Sequence, residues 1–225
     1  HDGQGWTATC CRFVLVAAVV LTMAGCERDS GSEGAPSMTE GGELVFEESF
    51  DDREPGNDWR RGKGEGGKGQ WRVDDEGWML GNDIKNDPLW LDRPLPEDVR
   101  IEFDAQALSA IGDIKFEVFG DGVRHESGYI CIFGGWKNRL DVIARLDEHG
   151  DDRKARDTHG VLPHTTYHMA VERTDDTLHW YLDGEHFMSY PDASPLRGEG
   201  HRYFAFNIWS APVRFDNVKV YDLSK

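Results

Sequence analysis

Positive charge is scarce in this chain. Its 225 residues hold 25 Lys and Arg against 42 Asp and Glu, a formal net charge of −17. Wrapping nucleic acid takes a basic face, and electrostatic attachment to anionic lipid takes a polybasic patch, so the charge argues against both partners. Cysteine is scarce too, with four residues in the whole chain. A chain of this length can bury enough apolar surface to fold without a disulfide framework. No apolar run approaches the roughly 20 residues that a membrane-spanning helix requires. There is no HExxH, no Cys–His cluster and no GxSxG, which argues against a zinc site and a serine nucleophile on an elbow turn. His164 and His168 are four apart, but in a strand that is about 13 Å, too far to share one ion. With these classes set aside, the balance of 38% hydrophobic to 30% charged residues is that of a folded globular protein.

The one strongly apolar segment, Phe13 to Ala24, has the length of a signal-peptide core and follows Arg12. Met23-Ala24-Gly25-Cys26 resembles a bacterial lipobox, which implies cleavage before Cys26 and lipidation of that cysteine. The expected product is an envelope protein, lipid-anchored to a bacterial membrane and touching it through the anchor only. Cys10 and Cys11 would leave with residues 1–25, and Cys131 alone cannot form an internal disulfide. Residues 26–43, rich in Ser, Gly and Glu, have little to bury and are expected to be a flexible tether. Residues 44–225 are expected to be one domain.

Within that domain the hydrophobic period is two. Val99 to Gln106, Asp113 to Val118, Arg139 to Leu146 and Tyr167 to Glu172 alternate apolar and polar residues. Such alternation faces one side of a strand to a core and the other to water. Thr177 to Leu182, Asp183-Gly184, and Glu185 to Tyr190 read as a strand, a tight turn and a returning strand. With roughly a dozen strands and no long helix, the expected fold is an all-β, two-sheet antiparallel sandwich.

The domain opens with Glu48-Ser49-Phe50-Asp51-Asp52, Asp58-Trp59 and Gly69-Gln70-Trp71-Arg72-Val73. It closes with Tyr181-Leu182-Asp183-Gly184 and Val213 to Val220. This layout resembles the concanavalin A-like lectin/glucanase superfamily, in particular its laminin G-like and 3-keto-disaccharide hydrolase-type domains. The resemblance implies a jelly roll whose concave sheet or rim loops hold glycans. The expected partner is therefore a polysaccharide or oligosaccharide, bound without a cofactor. The superfamily also pairs first and last strands, which would bring Asp51, Asp52 and Asp216 together as oxygen ligands for a structural calcium.

For a glycan site, Gly134-Gly135-Trp136 stands out. Two glycines free the backbone to turn, and the indole that follows is a flat apolar platform for a sugar ring. Asn138, Arg139, Arg145, Glu117 and His125 are the candidate polar partners, arginine with carboxylate offering a fixed fork for sugar hydroxyls or a uronic acid. A glycoside hydrolase or polysaccharide lyase is an alternative function, with Glu102, Asp104 and Glu117 as candidate acids. A retaining pair needs carboxyl groups about 5–5.5 Å apart. Same-face strand neighbours lie about 6.5–7 Å apart, and a solvated strand face supplies alternating acids equally well. A non-catalytic protein-interaction module is a second alternative. Gly62 to Gly69 lacks the Ser or Thr and the following helix of a phosphate loop, and reads as a mobile glycine-rich loop. Asp147 to Asp152 reads as a solvated turn.

Overall fold

The computed structural model describes residues 34–51 and 55–224. The signal-like segment, Cys26, the first residues of the tether and Asp52 lie outside them. Strand Val99–Ala107 shows how alternation becomes a layer: Ile101, Phe103, Ala105 and Ala107 are buried between the sheets, while Glu102 and Asp104 sit half-buried on the outer side. The back sheet has eight strands. It runs Glu185–Pro191, Thr177–Leu182, Tyr167–Thr174, Val99–Ala107, Val213–Asp222, Met79–Gly81 and Arg72–Val73, with Glu43–Glu48 also paired to Val213–Asp222. The front sheet has seven, in the order Lys154–Asp157, Leu140–Arg145, Tyr129–Gly134, Ile114–Gly120, Tyr203–Asn207, Leu89–Leu91 and Trp59–Arg61. The pairings are antiparallel, and the two layers form the expected jelly-roll sandwich.

Aromatic rings knit the layers. Phe103 of the back sheet meets Phe116, Phe204 and Phe206 of the front sheet at 5.1, 5.6 and 5.3 Å between centroids. Phe206 stacks on Phe215 at 4.1 Å and on Trp59 at 5.4 Å. Truncating one such ring to alanine costs ~3–5 kcal/mol through lost transfer energy and the cavity left behind. The Asp183-Gly184 turn is left-handed at both residues, with φ 52° and 84°, matching the twist of the strands it joins.

Two segments differ from their sequence reading. The glycine-rich loop is not free: Gly66–Gly67 pairs with Ile84–Lys85, and a Cβ at Gly67 or Gly69 would collide with the backbone carbonyl of Asp83 or Asn82. The glycines serve close approach of two chain segments rather than mobility. Near the end of the expected tether, Thr39 is fixed on the outer face of the back sheet. Its N–H donates to Glu172 at 3.1 Å, and its carbonyl accepts from Arg100.

Candidate functional site

The site grows from the outer side of the central front strand. In Ile114–Gly120 the inward residues Ile114, Phe116 and Val118 join the core, which turns Lys115 and Glu117 outward, with Asp113 just before them. Lys115 lies between Ile132 and Asn207 on the neighbouring strands, and Glu117 between Ile130 and Ala205. Exposure of Lys115 is 1% and of Glu117 0%, so this outer face is roofed by loops.

Those loops carry the rest of the chemistry. The Lys115 ammonium donates to Glu148 Oε2 at 2.7 Å and to Asn86 Oδ1 at 2.9 Å. Asn86 in turn donates to Glu65 Oε1 of the glycine-rich loop at 3.1 Å. Glu117 Oε1 accepts from Asn207 Nδ2 at 2.6 Å and lies 2.8 Å from His125 Nδ1. The other oxygen of Glu117 and Nε2 of His125 are buried without a hydrogen-bond partner among the described residues. Nε2 is 3.7 Å from Glu148 Oε2, beyond bonding distance.

Above this floor opens a cavity of about 1000 Å³. On the side of strand Tyr129–Gly134 it is walled by Trp136, Glu148 and His149, and on the side of strand Tyr203–Asn207 by Asn86 and Trp209. Trp136, Lys137 and Asn138 form a left-handed run, with φ of 52°, 63° and 61°. Each such residue costs ~1–2 kcal/mol, a strain that persists only where the surroundings hold it. Asn138 does the holding: its Oδ1 accepts from Val161 N, and its Nδ2 donates to Val161 O, both at 2.8 Å. Trp136 is thereby set half-buried against Ile130, Ile132, Val142 and Ala144, edge-on to His149 at 5.6 Å. Trp209 is 44% exposed, with the Lys85 ammonium 5.4 Å from its ring centre.

Two carboxyls of the groove are driven in opposite directions. Burial raises Asp113 to about 6, against the pull of Lys115 and the Trp209 N–H that it accepts at 2.7 Å; the Glu148 charge pushes it the same way as burial. Burial also works upward on Glu148, but Lys115, His125 and His149 outweigh it and hold that carboxyl below its ordinary range.

Of the residues singled out in the sequence, Trp136, Glu117 and His125 meet here: the indole on the wall, the other two beneath the floor. Asn138 fixes the Trp136 turn. Arg139 is exposed beyond that turn. Arg145 turns to the other side of its strand and donates to Asp192 at 2.8 Å. Glu102 and Asp104 belong to the back sheet, where His168 Nδ1 lies 2.9 Å from Asp104. Glu102, Asp104 and Glu117 are thus split between two sheets and do not form one constellation. Asp51 lies near enough to Asp216 to help burial and the neighbouring Asp104 raise its carboxyl to about 6, while Asp52 lies outside the described residues. Among the described residues no group of three or more His, Cys, Asp or Glu is arranged to hold a metal ion.

Sequence reading missed Asp113, Lys115, Asn86, Asn207, Glu148 and Trp209. The Asp147–Asp152 stretch, read as a solvated turn, delivers Glu148 into the site at 9% exposure. Asp113 and Lys115 did carry a signal, since they continue the parity of Glu117.

No family model matches the chain, and no curated protein matches it either. Its fold does have solved counterparts. A protein of unknown function with galectin-like fold from Bacillus subtilis aligns over 82% of this chain and 98% of its own, at TM-score 0.54 and 15% identity. The carbohydrate-binding module CBM66 from Bacillus subtilis aligns over 73% and 95%, at TM-score 0.58 and 19% identity. A Bacillus licheniformis beta-glucanase aligns over 81% and 99%, at TM-score 0.56 and 13% identity. The chain therefore has the jelly-roll fold shared by galectin-like, glucanase and carbohydrate-binding domains. At these identities the likeness is one of fold.

Proposed function

We propose that the front-sheet groove binds an oligosaccharide or polysaccharide, and that the protein is held on a bacterial envelope membrane by lipid on Cys26. The observation that carries the binding reading is the pair of indoles, Trp136 and Trp209, flanking one cavity of about 1000 Å³ with amide and carboxylate acceptors between them. A sugar needs such a surface: apolar faces for the ring and fixed polar groups for its hydroxyls. The glycan-related neighbours of the fold support the same reading. The full chain is tested by affinity electrophoresis against a panel of neutral and charged polysaccharides. Trp136→Ala and Trp209→Ala are each expected to weaken binding by about tenfold or more. Binding to no glycan, or binding that neither substitution changes, refutes the reading. Lipidation is tested by palmitate incorporation in a bacterial host, which Cys26→Ser should abolish.

One observation favours catalysis in the same groove. Asp113 and Glu148 both line it, and burial pushes the Asp113 carboxyl up while Lys115 holds that of Glu148 down, the separation by which a general acid is set apart from its charged partner. In this second reading Asp113 protonates a glycosidic oxygen, and the Glu148 carboxylate activates water or stabilises the sugar cation. Asp113→Asn is then expected to remove reducing-sugar release while leaving binding within about threefold. Release that survives the substitution overturns this assignment.

A further inference from the structure

The groove's charges discriminate among sugars, an inference that rests on the glycan-binding reading above. Five acids line it, Glu65, Asp113, Glu126, Asp147 and Glu148, against two lysines, Lys115 and Lys137, and His149. The lysine on the floor is already committed: Lys115 is 1% exposed, and its ammonium is held by Glu148 and Asn86. A sugar carboxylate arriving there would have to displace a carboxylate bonded at 2.7 Å.

Guanidinium groups, the usual forks for carboxylate and sulfate, are pointed elsewhere. Arg145 is paired with Asp192. Arg153 lies against the Trp136 ring and donates from Nη1 to the Glu148 carbonyl at 2.8 Å. Arg156 is bonded to Asp141 and to the Phe187 carbonyl. Among the described residues no arginine lines the cavity.

We infer that this groove takes a neutral or amino-bearing sugar and rejects uronic acids and sulfated sugars. The uronic acid admitted by the sequence reading depended on Arg139 and Arg145, and neither lines the cavity. Hydroxyls can accept from Asn86 and donate to Asp113, Glu148 and Glu65. A sugar ammonium gains the same acceptors with an added charge, whereas a carboxylate meets five acids, against which stand the committed Lys115, the exposed Lys137 and Lys85 over the Trp209 ring.

The test compares ligands that share a backbone and differ in charge. Whichever neutral polysaccharide the full chain binds is offered in hydroxyethyl and carboxymethyl forms at equal substitution. The carboxymethyl form is expected to bind at least about tenfold more weakly than the hydroxyethyl form at low salt. The gap should narrow as salt shortens the Debye length to about 3 Å near 1 M. Glu148→Gln, which frees the Lys115 ammonium, should shrink the gap further. Carboxymethyl binding equal to or tighter than hydroxyethyl binding, or a panel in which only uronate polymers bind, overturns the inference and leaves glycan binding standing. Binding to nothing in the panel removes both.

Discussion

On the outer face of the back sheet the acids are answered by side chains of their own or neighbouring strands. Glu102 takes the Arg100 guanidinium at 2.6 Å, and Asp104 takes His168 and Asn217, each at 2.9 Å. On the outer face of the front sheet, Glu117 is fully buried, one of its oxygens has no hydrogen-bond partner among the described residues, and a cavity opens above its neighbours. Alternating strands built both faces. The difference lies in what is stacked on them. The loops that carry Glu65, Asn86, His125, Glu148 and Trp209 roof the front face together with the strained turn at Trp136, and each contributes a polar or aromatic group to one place. The back face receives Thr39 at Glu172 and Arg100, and the loop carboxylates Asp74 and Glu76 at Arg214, each answering a side chain already on the sheet. A face becomes a site when loops convert solvated charge into enclosed charge, because enclosure is what strengthens an electrostatic interaction.

Lysines test that contrast most sharply. Lys115→Met leaves Glu148 buried without its cation, and breaking a buried pair from one side is expected to lower unfolding free energy by ~3–5 kcal/mol in urea titration. A loss below about 1 kcal/mol would mean that the front face is as well solvated as the back.

His168 comes next, through pH. Asp104 and Glu102 raise it from an ordinary value near 6.5 to about 9. A raised folded value means that its stabilisation is complete below about 6.5 and is lost as pH climbs through about 9. Because this histidine is 44% exposed on its side chain, screening should hold the effect to under ~1 kcal/mol. The denaturation midpoint of the native chain should therefore fall between pH 6.5 and 9 more steeply than that of His168→Gln. Parallel slopes would show that the back-face cluster contributes nothing measurable.

The smallest effect is expected at Lys219, whose pair with Glu47 is 3.6 Å long and open to water. Lys219→Met should change stability by less than ~0.5 kcal/mol.

The sandwich was legible because its information is local. Period two is written within each strand, and Asp183-Gly184 writes its own hairpin. Trp136 was legible for a similar reason, since Gly134-Gly135 adjoins it, and His125 lies only eight positions from Glu117. The rest of the groove was not local. Lys115 meets Glu148 across 33 positions, and Glu117 meets Asn207 across 90. Nothing in strand parity says which of several outward acids will be covered. Glu102-Phe103-Asp104 and Lys115-Phe116-Glu117 carry the same alternation, and only sheet order puts one behind the domain and the other beneath a groove. Trp209 was passed over because most tryptophans of such a chain fill the core, as Trp59, Trp71, Trp90 and Trp180 do.

The latch at Thr39 gives the molecule a load path. Glu172 and Arg100, which hold that residue, sit on adjacent strands in the middle of the back sheet, and Tyr181 braces Glu172 from the next strand at 3.1 Å. Tension on the chain before Thr39 would enter the fold at these side chains, spread over three neighbouring strands, before it reached the edge where Glu43–Glu48 is zipped to Val213–Asp222. The groove lies on the outer side of the other sheet. A domain tugged from its N-terminal side while gripping a long polymer would thus carry the force across its thickness, with the aromatic core between the two sheets as the element in tension.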